Sequence, residues 1–304
     1  MSASVSIVLP TRNGIATLPS VLDAIHRQRL ERPLEVVAVD SGSTDGTLDA
    51  LRGRVDHLIR IAPDTFDHGT TRNLGIEQAH GDVIVLLVQD AVPASDTWLA
   101  ALIAPVVGDS TGRVAGAFAR QVPRVDASPI TRHYLARWMA ASEVPRSAAI
   151  AGRTELDALD PMARLERCTF DNVCSCIRRS VWLEHPFRAT PIAEDLEWAR
   201  DVLLAGYRIM YAPTAVVVHS HDRSARYEFD RTRLLHRRLY ELFGVRTIPT
   251  VPHLARAMLS SLAMHLRCER SGRAVALAVA WPLGQYVGAL SAARGWKPFR
   301  VQNV

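Results

Sequence analysis

The apolar run of residues 83–88 ends in VLLVQDAVP, so that Asp90 follows a buried-looking strand directly. Asp40 does the same after residues 36–39 in VVAVDSGSTDGT, and the acidic pair Glu194 and Asp195 opens AEDLEWARDVLL. Two histidines, His219 and His221, follow the apolar residues 215–218. Side chains of these types can hold a divalent cation through hard oxygen and borderline nitrogen ligands. A lone carboxylate can also take a proton as a general base, worth about 10² to 10⁴ in rate. Helix capping and turn chemistry account for Ser43, Thr44 and Asp45. They do not account for a carboxylate set at once after four or more apolar residues.

The elements that must position these groups alternate along the first part of the chain. Apolar runs at residues 5–9, 36–39, 57–61 and 83–88 read as strands. Leu18, Val21, Leu22 and Ile25 stand at helical spacing between the first two, and further helices are expected after Thr44 and after Thr70. Strands apolar on both faces that alternate with helices imply a parallel sheet covered by helices, and ligands then bind beyond the carboxyl ends of the strands. Those ends carry Pro10, Thr11 and Arg12, then Asp40 and Ser41, then Gln89 and Asp90. Residues 120–167 show no strand rhythm and read as loops with one helix near residues 130–140. A strand over 173–177, a helix from Glu194 through Leu204 and the run 215–218 build over the same rim.

With 304 residues, 48% of them hydrophobic, the chain can fill a substantial core without staples. Its formal charge of +5 suits anionic partners, but the arginines are spread out with no aromatic interleaving, which argues against a nucleic-acid groove. MSASVSIVLP resembles a first core strand rather than a secretion signal, so a cytoplasmic location is expected. Cys168, Cys174, Cys176 and Cys268 lack the paired spacing of a zinc site and read as reduced, mostly buried thiols. Residues 252–268 form an amphipathic helix candidate. Residues 274–293 carry no charge and are flanked by Arg270, Arg273, Arg294 and Lys297. That pattern suits a helix pair lying at the inner face of a membrane or at a dimer contact better than a spanning helix.

SIVLPTRNG, VVAVDSGSTDGT, FDHGTTRNLG, VLLVQDAVP and AEDLEWARDVLLAGYRI, in this order, resemble an inverting glycosyltransferase of family 2 with the GT-A fold. FDHGTTRN, QDAVP and RQVPRVDASP further resemble its rhamnosyltransferase-like members. The resemblance implies an α/β fold with a mostly parallel central sheet flanked by helices. The GT-A domain would span residues 1–245, with a nucleotide half over about 1–118 and an acceptor half over 119–245, and 246–304 would form a helical tail. It also implies a nucleotide-diphosphate sugar donor, thymidine-diphosphate rhamnose or a UDP-sugar, and an acceptor hydroxyl on a glycan, glycolipid or small molecule.

The same resemblance assigns roles. Asp195 is the catalytic base. Thr11, Asp40 and Arg72 fall on pyrimidine-contacting positions, with Pro10, Arg12 and Ser41 beside them. Most enzymes of this fold present D-x-D where this chain has Val88, Gln89 and Asp90. Asp90 would hold Mg2+ or Mn2+, His219 or His221 would add a ligand, and Gln89 would face ribose or sugar hydroxyls. Arg120, Gln121, Glu194 and Trp198 fall on the acceptor or sugar side. Each has a plainer alternative: Arg72 paired with Asp67 or another local acid, Glu194 complementing a helix dipole, Trp198 in the core, and the two histidines a surface pair. A binding module that keeps the fold without turnover is the competing reading, since the D-x-D is incomplete. A dinucleotide-dependent oxidoreductase would need G-x-G-x-x-G after the first strand, where PTRNGIATL has one glycine.

Overall fold

The computed structural model describes residues 4–296; the flanking Lys297 lies outside them. In chain order its elements are β1 (Val5–Thr11), α1 (Leu18–His26), β2 (Leu34–Asp40), α2 (Thr47–Leu51), β3 (His57–Arg60), α3 (His68–Gln78), β4 (Val83–Leu87), β5 (Val92–Pro93) and α4 (Trp98–Val107). There follow β6 (Val114–Val122), α5 (Pro129–Leu135), β7 (Arg146–Ala148), α6 (Arg153–Ala158), α7 (Pro161–Arg167), β8 (Cys174–Arg178), α8 (Arg179–Glu184) and α9 (Glu194–Leu204). β9 (Arg208–Val218), α10 (Ala225–Phe243), α11 (Val251–Cys268) and α12 (Gly272–Ala293) complete the chain.

The strands form one sheet in the order β3-β2-β1-β4-β8-β6-β9-β5, with β7 also on β9. β1, β2, β3 and β4 are parallel neighbours, as the alternating pattern requires. The rhythm breaks at β8, which enters antiparallel between β4 and β6, pairing Leu87 with Cys174 on one side and Phe118 with Ser175 on the other. β6 and β9 then run parallel to each other, and β5 and β7 run against β9. The sheet is therefore mixed. The carboxyl ends of β1, β2, β4, β6 and β9 share one rim, and because β8 is reversed, its amino end arrives there too.

The chain divides into two compact units. The first holds residues up to 124, 136–156 and 168–220, and contains the whole sheet; the second holds 125–135, 157–167 and 221 onward. The core of the first packs Leu18, Val21, Leu22 and Ile25 of α1 and the fully buried Trp98 of α4 against β1, β4 and β8. In the second unit α12 lies along α10, where Gly284 and Gly288 permit contact: a Cβ on Gly288 would sit 2.3 Å from the Arg233 carbonyl oxygen and one on Gly284 2.9 Å from that of Phe229. Two expectations change here. β6 and β7 supply strand where residues 120–167 read as loops, and the helix near 130–140 stops at Leu135. The cysteines form no disulfide among the described residues, with Cys168, Cys174 and Cys176 buried and Cys268 partly so.

Candidate active site

The rim begins at β1 and β2. Asp40 is fully buried and accepts from Thr11 Oγ1 at 3.0 Å, from the backbone N–H of Gly42 and Ser43 at 3.0 and 2.9 Å, and from Ser43 Oγ. Ser41 is tied to the Thr11 carbonyl through its N–H at 2.9 Å and its hydroxyl at 3.1 Å. With its oxygens engaged by Thr11 and by its own turn, Asp40 braces the wall that Pro10, Thr11 and Arg12 present. Gln89 also braces this wall. Its Oε1 accepts from the Arg12 N–H at 2.8 Å and its Nε2 donates to the Arg12 carbonyl at 2.9 Å. Gly14 makes room for it, since a Cβ there would lie 2.3 Å from Oε1. An aspartate carboxylate could accept from Arg12 but not donate to it.

On the opposite side α3 and α9 meet by their amino ends. Asp67 caps α3, accepting from the N–H of Gly69 and Thr70 at 3.0 and 2.9 Å. Arg72, buried one turn on, is therefore not its partner; the Arg72 guanidinium pairs with Glu194 Oε1 at 3.1 Å and donates to the His68 carbonyl at 2.9 Å. Gly69 and Asn73 of the same segment fix the chain around residues 187–188. A Cβ on Gly69 would strike the Arg188 carbonyl at 2.0 Å, and Asn73 bonds both the N–H and the carbonyl of Phe187. Trp198 is core, packed on Phe170 and Phe187 with its N–H on the His185 carbonyl at 2.9 Å, and so offers no face to a sugar.

α9 starts at Glu194, directly after Ala193 in the left-handed region at φ 64°. Asn172 N–H donates to Asp195 Oδ2 at 3.2 Å, and its side-chain amide donates to Glu194 Oε1 at 3.2 Å. Burial alone would raise the Glu194 carboxyl, but the charges of Arg72 and His68 and the Asn172 amide outweigh it and hold it below the ordinary glutamate range. Burial, then the charges of Glu194 and Asp171, push Asp195 the other way, well above the ordinary aspartate range. Neighbouring acids driven apart in this manner are a mark of divided acid–base duty.

Asp171 joins this side of the rim to β6 and β9. Its Oδ2 accepts from Gln121 Nε2 at 2.6 Å and from the Trp138 indole at 3.2 Å. The nearly buried Gln121 turns its Oε1 to His219 Nδ1 at 3.0 Å, and His219 Nε2 stands 3.6 Å from Asp90 Oδ1. Asp171 only accepts, so the Gln121 oxygen faces His219 and Nδ1 carries the proton; in the neutral imidazole the Nε2 lone pair then faces Asp90. A lone pair opposed to a carboxylate fits a cation between them, and the donor set, one carboxylate and one imidazole, fits manganese or magnesium. His221 follows two residues on, at the first residue of the last segment of the second unit, and is exposed. Arg120, beside Gln121, pairs with Glu143 at 2.7 Å. Asp90, His219, Gln121, Asp195, Glu194 and Arg72 thus belong to one rim, joined through Asp171 and Asn172, two residues that sequence reading passed over. Their one signal was position, directly ahead of a strand that begins at the rim.

The sheet and its rim have the architecture of the GT-A fold. The same fold is found in a mannosyltransferase from Pyrobaculum calidifontis solved with GDP-mannose and Mn2+, at TM-score 0.54 and 20% identity over 98% of this chain and 77% of that one. It recurs in glucosyl-3-phosphoglycerate synthase from Mycobacterium tuberculosis, solved with Mn2+, UDP and glucosyl-3-phosphoglycerate, at TM-score 0.53 and 20% identity over 80% and 81%. The model of glycosyl transferase family 2 matches residues 6–155. An O-antigen chain rhamnosyltransferase of Salmonella typhimurium is 32% identical over 232 residues, 75% of this chain and 69% of that protein. One of Salmonella anatum is 30% identical over 238 residues, 75% and 70%. The chain belongs to glycosyltransferase family 2 and is rhamnosyltransferase-like within it.

Proposed function

We propose that the protein is a cation-dependent inverting transferase that moves rhamnose from thymidine-diphosphate rhamnose onto an acceptor hydroxyl. The observation that carries this reading is the joined rim: a raised carboxyl at Asp195 linked through Asp171 and Gln121 to an imidazole and a carboxylate facing each other at 3.6 Å. The rhamnosyltransferase relatives support the choice of donor. Asp195 takes the acceptor proton as the acceptor oxygen bonds to the anomeric carbon from the face opposite the diphosphate. The bond from that carbon to the phosphate oxygen breaks, and its electron pair leaves with the diphosphate. Asp90 and His219 would hold the cation, with His221 as a third protein ligand, and such a cation supplies the charge that stabilises the departing diphosphate. Pro10, Thr11, Arg12 and Ser41 line the nucleotide side, braced by Asp40 and Gln89. Arg72 keeps Glu194 ionised, and that charge keeps Asp195 basic.

A thermal-shift panel of nucleotide sugars with Mg2+ or Mn2+ tests the reading. A donor at a hundred times its dissociation constant adds about 2.7 kcal/mol of stability. Thymidine-diphosphate rhamnose with cation should give the largest shift, and the transferred sugar should show an inverted anomeric centre by NMR. No shift with any thymidine or uridine donor would favour a binding module without turnover.

A further inference from the structure

The second unit carries a surface that the transfer chemistry does not use. α11 has no acidic side chain, and His265 is its one buried residue. That histidine anchors the helix by its inner face, at 3.0 Å from Tyr134 Oη and 3.1 Å from the Ala274 carbonyl. At about 100° per residue, Val251, Ala255, Leu266, Leu259 and Ala263 follow one another over a continuous outward arc of roughly 120°. All five are exposed, Leu259 by 68% and Val251 by 63%. Arg256 and Arg267, also exposed, border this arc along one edge. The apolar surface continues onto α12 through Val275 and Val279, each 44% exposed. A cleft of about 830 Å³ lined by Leu266, Arg267, Arg270 and Val275 lies at the turn between the helices.

Charge selects what covers this arc. Over residues 251–293 the charged side chains are Arg256, Arg267, Arg270 and Arg273 against Glu269 alone. Glu269 is engaged by Ser271 and Arg273, and Arg273 also reaches Asp222 at 3.0 Å. Arg256, Arg267 and Arg270 have no ion-pair partner among the described residues. An exposed apolar stripe edged by unpaired arginines is the pattern of a helix that lies in the headgroup plane of an anionic bilayer. α12 alone among the described helices is long and apolar enough to cross a membrane, but half of its apolar window is buried, and its glycines are pressed on α10.

We propose that the outer arc of α11, with Val275 and Val279, docks this protein on a bilayer containing anionic phospholipid, the arginines meeting phosphate and the apolar side chains the acyl boundary. The test is co-sedimentation of the full chain with vesicles of phosphatidylcholine, with and without phosphatidylglycerol, at low and high salt. Binding is expected to the phosphatidylglycerol vesicles, weakening with salt. Removing Arg267 and Arg270 together as R267Q/R270Q should lower it about fivefold for each arginine lost. Leu259→Gln should lower it independently, and both variants should melt with the wild type because these side chains are exposed. Equal or absent sedimentation with the two vesicle types overturns the proposal, as do variants that bind like the wild type. A lipid-free dimer that Leu259→Gln dissociates also overturns it, by making the arc a contact between copies.

Discussion

Gln121 Oε1 and His219 Nδ1 lie 3.0 Å apart, and the other end of the same amide is held at 2.6 Å by Asp171. The amide therefore acts as a one-way spacer: its donor is spent on an acid, so its acceptor fixes which imidazole nitrogen keeps the proton. Gln121→Leu should release that tautomer and weaken Mn2+ binding, measured by electron paramagnetic resonance with nucleoside diphosphate present, by about 10- to 100-fold. The tautomer itself can be read without metal from the nitrogen chemical shifts of His219. Unchanged shifts and unchanged affinity would show that the amide does not set the imidazole.

Asp195→Asn keeps the size of the carboxyl and one of its two backbone N–H contacts, from Asn172 and Leu196, but cannot accept a proton. Transfer should fall by about 10² to 10⁴, while the donor-induced thermal shift stays near that of the wild type. Turnover close to normal would move the base elsewhere.

The same pair of acids sets a pH dependence with a defined sign. In the proposed reaction Asp195 is a base when ionised, and its carboxyl is pushed well above the ordinary range by burial and by the Glu194 charge. kcat/KM should therefore decline as pH falls through that raised value. Glu194→Gln removes one of the charges that raise it, so the acidic limb should move to lower pH. A limb that stays in place, or moves to higher pH, contradicts the coupling.

Arg72 and Glu194 are a buried ion pair, each side chain 6% exposed. Removing one partner from such a pair leaves an uncompensated charge, at about 3 to 5 kcal/mol. Arg72→Met should destabilise by that order in urea unfolding, and adding Glu194→Gln should recover part of the loss. Strict additivity of the two changes would mean that the charges do not interact.

Gln89→Glu tests the altered D-x-D. The added carboxylate can still accept from the Arg12 N–H but leaves the Arg12 carbonyl without its donor, a loss of about 1 to 3 kcal/mol. The variant should melt lower than the wild type and should not bind Mn2+ more tightly in the absence of nucleotide. Tighter binding, seen by calorimetry, would place residue 89 among the ligands.

The parallel half of the sheet was legible because β1, β2 and β4 are buried along most of their length and α1 keeps one apolar stripe, whereas β3 at the edge is mostly exposed. Leu18, Val21, Leu22 and Ile25 are all buried on α1, and α9 runs from Glu194 to Leu204 as its opening acids suggested. α10 was passed over although Leu235, Leu239, Leu242 and Phe243 fall at helical spacing. Asp90 stood out by following a strand. Asp171 and Asn172 did not, because they precede one, and a rule that looks beyond the carboxyl ends of strands passes over a reversed strand. Asp40 and Gln89 stood in the right place, but their bonds to the turn and to Arg12 were not legible, because they depend on backbone N–H groups whose direction only the fold determines.

The reversed insertion of β8 also bears on how the protein reaches this state. Asp90 and the segment before Cys174 come together only when a strand from far down the chain slots between β4 and β6. Pairings of such long sequence separation incur their loop entropy before any contact offsets it, which makes them slow steps in folding. A nascent chain that has made only β1 to β4 would carry the first wall and Asp90, but neither the acid nor the amide that orients the rest. Catalytic competence should thus emerge in one late event, with the filling of the central gap in the sheet, rather than grow strand by strand.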